Sequence, residues 1–257
     1  MDAAHAMDRM YRPQAAIYDA SRKYYLLGRD VLLNGLAPAA GHNVLEIGCG
    51  TGRNLIRAAR LYPRANFYGV DISEAMLAQA RRSIGRAETI APILVALGDA
   101  AAFDPHSLFG RERFEHVFIA YALSMIPRWR ETIDHALTLL APDGFLHIVD
   151  FGDCAGTPEW FRAGLARWLA LFQVSPRLEL QKELAGRAKA CALNVHHKAL
   201  YRGYAFHSVI GGEAQAENRA AAALPFFGRL QQHTRIMRGQ IVARAKKAHS
   251  AVARRGK

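Results

Sequence analysis

The chain has 257 residues, 51% of them hydrophobic, and a formal net charge of +12. That is enough apolar material for one α/β domain with additions, and it excludes wholesale disorder. The charge is uneven: residues 213–257 carry ten Lys/Arg against two Glu, a net of +8, whereas residues 1–212 carry only +4. A basic tail suits an anionic partner (acidic lipid, nucleic acid or protein) or is a solvated extension. Cys49, Cys154 and Cys191 are scattered and make neither a disulfide framework nor a zinc site, which fits a reducing cytosol. Asp2, Asp8 and Arg9 break any signal-peptide pattern, and no apolar run reaches the ~20 residues of a spanning helix.

Residues 1–12 read as a loose start. Residues 13–36 read as helical, interrupted at Gly28, and Pro38 to Gly41 is a stop and turn. A strand is expected at 43–47, then a helix from about 53 to 61, ending before Pro63. A second strand spans 67–71. Ser73 caps the next helix, which runs to about Ile84; no Glu follows three residues later, so this is a simple cap. Strands follow at 93–97 and 114–121, a helix at 127–140, a turn at Pro142-Asp143-Gly144 and a strand at 145–150. Helices at 158–174 and 177–193 precede two strands, 195–201 and 204–210, around Arg202-Gly203. Strands alternating with helices imply right-handed βαβ units and a parallel sheet. The expected organisation is a helical cap over 1–40, a domain over 41–212 and a basic tail, partly helical or disordered, over 213–257.

The stretch that organises the chain is Val44-Leu45-Glu46-Ile47-Gly48-Cys49-Gly50-Thr51-Gly52. An apolar strand ends in glycines and a helix begins at once. Glycine has no Cβ and tolerates positive φ, so such a turn lets a ligand approach the backbone. The glycines fall as G-x-G-x-G with Glu46 two residues ahead, which is not the dinucleotide fingerprint G-x-G-x-x-G. The pattern resembles motif I of the class I S-adenosylmethionine (SAM) methyltransferases. Asp71 ends the second strand, 21 residues after Gly50, where an acid can accept both ribose hydroxyls. Asp99 ends the third strand, where it either accepts the adenine amino group or caps a helix. The resemblance implies an α/β, Rossmann-like class I methyltransferase fold: a seven-stranded, mostly parallel sheet with one antiparallel strand and helices on both faces. It implies SAM as cofactor, held by Glu46, Gly48, Cys49, Gly50, Thr51, Gly52, Asp71, Ile72, Asp99 and Ala100.

Further stretches narrow the acceptor. Tyr18-Asp19 and residues 22–30 precede the sheet, Tyr121-Ala122-Leu123-Ser124-Met125-Ile126-Pro127 follows the fourth strand, and Val149-Asp150-Phe151-Gly152-Asp153 follows the fifth. Together with residues 45–55 they resemble the bacterial diacylglycerylhomoserine N-methyltransferases, which methylate a lipid homoserine amine three times to give a betaine lipid. The resemblance runs from about residue 10 to 212 and does not cover the tail. It implies a lipid substrate, a partner enzyme that supplies the unmethylated lipid, and a cytoplasmic protein peripherally associated with the inner membrane.

Aromatic faces suit the quaternary ammonium product, and Tyr18, Tyr25 and Tyr121 are candidates to face the amine; their ordinary alternative is core packing. Arg22 or Arg29 can pair with the substrate carboxylate, although either alone reads more readily as a surface arginine. His147 reads as a strand histidine, and His196-His197 lacks metal-ligand partners at suitable spacing, so no metal is expected. Trp160, Phe161, Leu165, Trp168, Leu169 and Phe172 lie at helical spacing. That stripe is core first and an interfacial helix second. The tail offers an anionic-membrane contact. The rival readings are a small-molecule or quinone methyltransferase on the same fold, and an RNA-binding protein or RNA methyltransferase using the tail. No Asn-Pro-Pro-Tyr-type motif for a base amine follows the fourth strand, which disfavours nucleic acid.

Overall fold

Strand β1 (Asn43–Ile47) is buried at every position. A strand shut in on both faces reads as a continuous apolar run because helices cover both sides. The structure, a computed structural model, describes residues 26–172 and 174–211. Around β1 stand α1 (Arg29–Leu36), α2 (Arg53–Leu61), β2 (Asn66–Asp71), α3 (Glu74–Gly85), β3 (Ile93–Leu97), α4 (Pro105–Phe109), β4 (Phe114–Ala120), α5 (Trp129–Thr138) and β5 (Leu140–Phe151). The chain continues through α6 (Glu159–Ala170), α7 (Leu180–Ala190), β6 (Asn194–Leu200) and β7 (Ala205–Gly211).

The strands form one seven-stranded sheet in the order β3-β2-β1-β4-β5-β7-β6. All pairs are parallel until β7, which runs antiparallel to both β5 and β6. Alternate side chains of each strand enter two cores. On one face Val44, Phe67, Phe118 and Val149 meet Leu32, Leu33 and Leu36 of α1, Leu55 of α2 and Leu169 of α6. On the other, Leu45, Val70, Ile119 and Ile148 meet Ile133 of α5 and Leu184 of α7. Each such side chain contributes about 1.5–3 kcal/mol when fully buried.

Local chemistry sets the element ends. Ser73 Oγ accepts the Met76 N–H at the start of α3, the simple cap expected. Outside, Arg130 bonds Glu179 at 2.5 Å and Glu183 at 2.9 Å, and Arg187 bonds Asp134 at 2.6 Å as well as Glu183, tying α5 to α7. Isolated exposed pairs contribute ~0–1 kcal/mol, so this network orients the helices more than it stabilises them.

Several expectations change. The turn expected at Pro142-Asp143-Gly144 lies inside β5 as an irregularity. Phe114 pairs with Leu140, but His116 already pairs with Phe145, so the residues between bulge out of the ladder. The helix expected over 127–140 is Trp129–Thr138, that over 158–174 is Glu159–Ala170, and that over 177–193 is Leu180–Ala190. Short α4, with Pro105 near its start and Asp104 as cap, was not anticipated. Gly28, at φ 88, heads α1 where a helix interruption was read; an added Cβ would lie 2.8 Å from Leu200. Tyr18, Arg22, Tyr25, the loose start and the basic tail lie outside the described residues. Among the described residues no helix is long and apolar enough to cross a membrane, and no group of three His, Cys, Asp or Glu side chains is placed to hold a metal ion.

Candidate active site

Strand order reverses at β1, whose neighbours β2 and β4 lead away in opposite directions. In open α/β sheets the crevice beyond the carboxyl ends of the strands at this point is where ligands bind. A cleft of about 370 Å³ opens there. Its walls come from the turn after β1, the ends of β2, β3 and β4, and Leu26 and Arg29 at the start of α1.

The turn after β1 is built by glycines at positive φ: Gly48 at 74°, Gly50 at 52° and Gly52 at 75°. The Gly48 and Cys49 N–H groups both donate to the Val70 carbonyl, at 2.8 and 3.0 Å, which locks the turn to β2. A Cβ on Gly48 would sit 2.6 Å from that of Ala122, so glycine there admits the segment after β4. A Cβ on Gly50 would meet no protein atom within 4 Å, although Gly50 is in the cleft wall. That glycine is required by its backbone and leaves space for a ligand.

Three acids surround the turn in different states. Asp71 accepts the Gly50 N–H at 2.8 Å on one oxygen and the Ser73 N–H at 3.0 Å on the other. Each carboxylate oxygen accepts more than one hydrogen bond, so a vicinal diol fits beside these amides. Asp99 accepts the Ala101 N–H at 2.9 Å and forms an ion pair with Arg128 at 3.2 Å. It caps a turn and not a helix, since Asp104 caps the helix that follows, and it lines the cleft beside Ala100. Glu46 is not in the cleft wall. It lies buried beneath the turn, where Asn54 Nδ2 donates to its Oε1 at 2.7 Å while its Oε2 is buried with no hydrogen-bond partner. Desolvation dominates and pushes its pKa up to about 8, against the lowering influence of Asn54 and Arg29. Asn54, which holds Glu46, itself lines the cleft. The vicinal diol of a nucleoside, which SAM carries, would answer Asp71.

Tyr121, Ala122, Met125, Ile126 and Pro127, in the segment after β4, also line the cleft. Tyr121 has φ 58, an uncommon backbone for a large side chain, and its N–H donates to the Val149 carbonyl at 2.8 Å. Its hydroxyl donates to the Leu27 carbonyl, and its ring packs edge-on against Phe151 at 4.7 Å. Burial raises the phenol pKa well above its ordinary value, with the Asp150 charge adding to this. Ala122, Met125, Ile126 and Pro127 give the cleft an apolar wall, and Arg29 also lines it.

Of the expected site residues, the structure gathers Gly48, Cys49, Gly50, Thr51, Asp71, Ile72, Asp99, Ala100, Arg29 and Tyr121 around one cleft. Gly52 instead caps α2 and packs on Ala80. His147 is fully buried in β5, its ring 5.9 Å from those of His116 and His207, away from the cleft. The α6 stripe divides. Phe161, Leu165, Trp168, Leu169 and Phe172 pack on the core, whereas Trp160 is 75% exposed. Asn54, Met76 and Arg128 line the cleft and were not singled out in the sequence. Asn54 was legible in principle, eight residues after Glu46 and on the first turn of the helix above it. Arg128 was not, since only the fold brings it to Asp99.

The methyltransferase-domain family matches residues 44–144. Over 125 residues the chain is 26% identical to the ubiquinone/menaquinone biosynthesis C-methyltransferase UbiE of Cereibacter sphaeroides, a match covering 49% of this chain and 48% of that protein. The chain thus spans about half the length of the curated relatives it matches. Phosphoethanolamine N-methyltransferase 2 of Haemonchus contortus, solved with S-adenosyl-L-methionine, superposes with a TM-score of 0.52 at 23% identity, covering 67% of this chain and 38% of that one. The plantazolicin methyltransferase BpumL, solved with SAH, gives 0.59 at 14% identity, covering 79% and 90%. These likenesses carry the fold. Residues 44–144 match the methyltransferase-domain family, and the sheet has the class I fold, for which S-adenosyl-L-methionine is the cofactor.

Proposed function

We propose that the chain is a SAM-dependent N-methyltransferase that converts the homoserine amine of diacylglycerylhomoserine to the trimethylated betaine, working at a membrane surface. The observation that carries this reading is the acceptor end of the cleft, where an apolar wall of Ala122, Met125, Ile126 and Pro127 stands with Arg29 and Tyr121. An apolar wall suits the glycerol and acyl part of a lipid, a guanidinium suits a carboxylate, and a tyrosine face suits an ammonium at ~0.5–2 kcal/mol. When bound, SAM supplies a methyl group on a sulfonium, open to in-line attack. The chain's own residues act by positioning: Asp71 and the glycine turn hold the donor, and residues 121–127 hold the acceptor amine on the opposite side.

Liposomes containing diacylglycerylhomoserine, incubated with enzyme and methyl-labelled SAM, should acquire label in the lipid fraction. A lipid fraction without label rejects the reading. The basic stretch 213–257 supports the membrane part, since six of its ten Lys/Arg (Arg229, Arg235, Arg238, Arg244, Lys246 and Lys247) are interleaved with apolar residues and would contribute ~1 kcal/mol each near an anionic surface. Deleting it should abolish sedimentation with anionic vesicles while SAM binding stays intact.

A second reading, a quinone C-methyltransferase, is favoured by the identity to UbiE and would use the same apolar wall. Label transferred to a demethylated quinone in place of the lipid would establish it.

A further inference from the structure

The segment after β4 is one helical turn: the Met125 and Ile126 N–H groups both donate to the Ala122 carbonyl, at 3.0 Å. It carries the apolar wall of the cleft, and its ends are held by groups from other elements. At its start, Asp150 at the end of β5 accepts the Ser124 N–H at 3.1 Å and the Phe151 N–H at 2.8 Å. Arg177 spans the turn, donating from Nε to the Leu123 carbonyl near its start and from Nη2 to the Ile126 carbonyl at its finish, each at 3.2 Å. Between them, the Ser175 N–H donates to the Ser124 carbonyl at 2.9 Å. The Arg177 guanidinium also lies 5.9 Å from the ring centre of buried Trp129, which limits its motion.

The signs follow helix-end logic. A carboxylate belongs where a turn presents N–H groups, and a guanidinium where it presents carbonyls. Here both come from outside the turn, and both lie beyond residues 44–144. Asp150 is fully buried, and its burial raises the carboxyl pKa to about 6, so it is ionised at neutral pH inside the fold.

We propose that Asp150 and Arg177 are positioning residues that clamp residues 122–126 and thereby set acceptor recognition, without touching the cofactor. This rests on the reading that the turn faces the acceptor. The turn itself lies within the part shared with the methyltransferase-domain family, whereas both residues of the clamp lie outside it.

The two residues predict different substitutions. Arg177→Lys keeps the charge and one donor path to a carbonyl, whereas Arg177→Gln loses the charge and the two-pronged reach. Asp150→Asn keeps the shape but has one acceptor oxygen for two N–H donors. The test uses the full chain, SAH for calorimetry, and diacylglycerylhomoserine in mixed micelles as acceptor. For Arg177→Gln and Asp150→Asn we expect KM for the lipid to rise about tenfold or more, SAH affinity to stay within about twofold, and amide exchange at residues 123–126 to accelerate about tenfold. Arg177→Lys should be intermediate in each. Unchanged exchange at these amides overturns the clamp whatever the acceptor is. Exchange that rises while lipid KM stays put overturns its role in recognition. A matching fall in SAH affinity overturns the separation from the cofactor. If the wild type does not methylate the lipid, the proposed acceptor fails, and the exchange measurement still decides the clamp. If Arg177→Gln does not fold, Asp150→Asn and Arg177→Lys carry the same comparisons.

Discussion

Asp71 Oδ2 accepts the Gly50 N–H at 2.8 Å across 21 residues of sequence. The acid at the end of β2 and the glycine turn after β1 therefore brace each other, and the donor site is organised before a ligand arrives. Preorganisation of this kind reduces what binding must spend on ordering the loop. Asp71→Asn keeps an oxygen for Gly50 but loses the charge that a ribose diol meets. SAH affinity should fall about tenfold to a hundredfold, by the 1.5–3 kcal/mol of a hydrogen bond to a charged group. An isothermal titration showing less than a twofold change would remove Asp71 from the site.

Gly50 and Gly48 separate space from backbone. Gly50→Ala should cost about 1–2 kcal/mol of stability from its left-handed backbone, with no clash inside the protein. Gly48→Ala must also displace Ala122, whose Cβ lies 2.6 Å from the added atom, and should destabilise more. Thermal melts rank the two; equal destabilisation contradicts the geometry.

The buried Glu46 has a folded pKa of about 8 against 4.5 for an ordinary glutamate. Between these values the unfolded chain has lost the proton and the folded chain keeps it. Stability from this group is fully present below about pH 4.5 and falls as pH rises toward 8. Glu46→Gln should flatten that slope, so that its melting temperature gains on the wild type between pH 5 and 8. Parallel curves would show that Glu46 is ionised in the folded protein.

His207 shows the opposite sign. Burial lowers its pKa to about 4, so the unfolded chain binds the proton first as pH falls from 6.5. The protein should lose stability across that window. His207→Phe keeps a ring against His147 and should lose this acid sensitivity. Urea midpoints at pH 7 and pH 5 measure the difference directly.

Tyr121 spends its hydroxyl on the Leu27 carbonyl and packs its ring on Phe151, so the phenol is a tether. Tyr121→Phe should cost about 0.5–1.5 kcal/mol of stability with kcat preserved. A large fall in kcat at unchanged stability would give the hydroxyl a direct part in the reaction.

The sequence by itself determined the scaffold and the donor end of the site. The run from Val44 to Gly52, then Asp71 and Asp99 at strand ends, is local in the chain, because each residue sits at the carboxyl end of its own strand and side-chain period places it there. The terminal hairpin was legible for the same reason. Pro142-Asp143-Gly144 misled because turn residues also make a bulge, and only pairing with Phe114 and His116 distinguishes the two. Asp99 carried two readings until Arg128 was found beside it, 29 residues away. The acceptor end was decided by tertiary structure. Residues 122–126 were visible as a stretch, but Asp150 and Arg177 reach them only after β5 pairs beside β4 and the chain returns past α6. Local sequence encodes turns and strand ends; a clamp made by a carboxylate and a guanidinium from distant elements exists only once the sheet has brought them together.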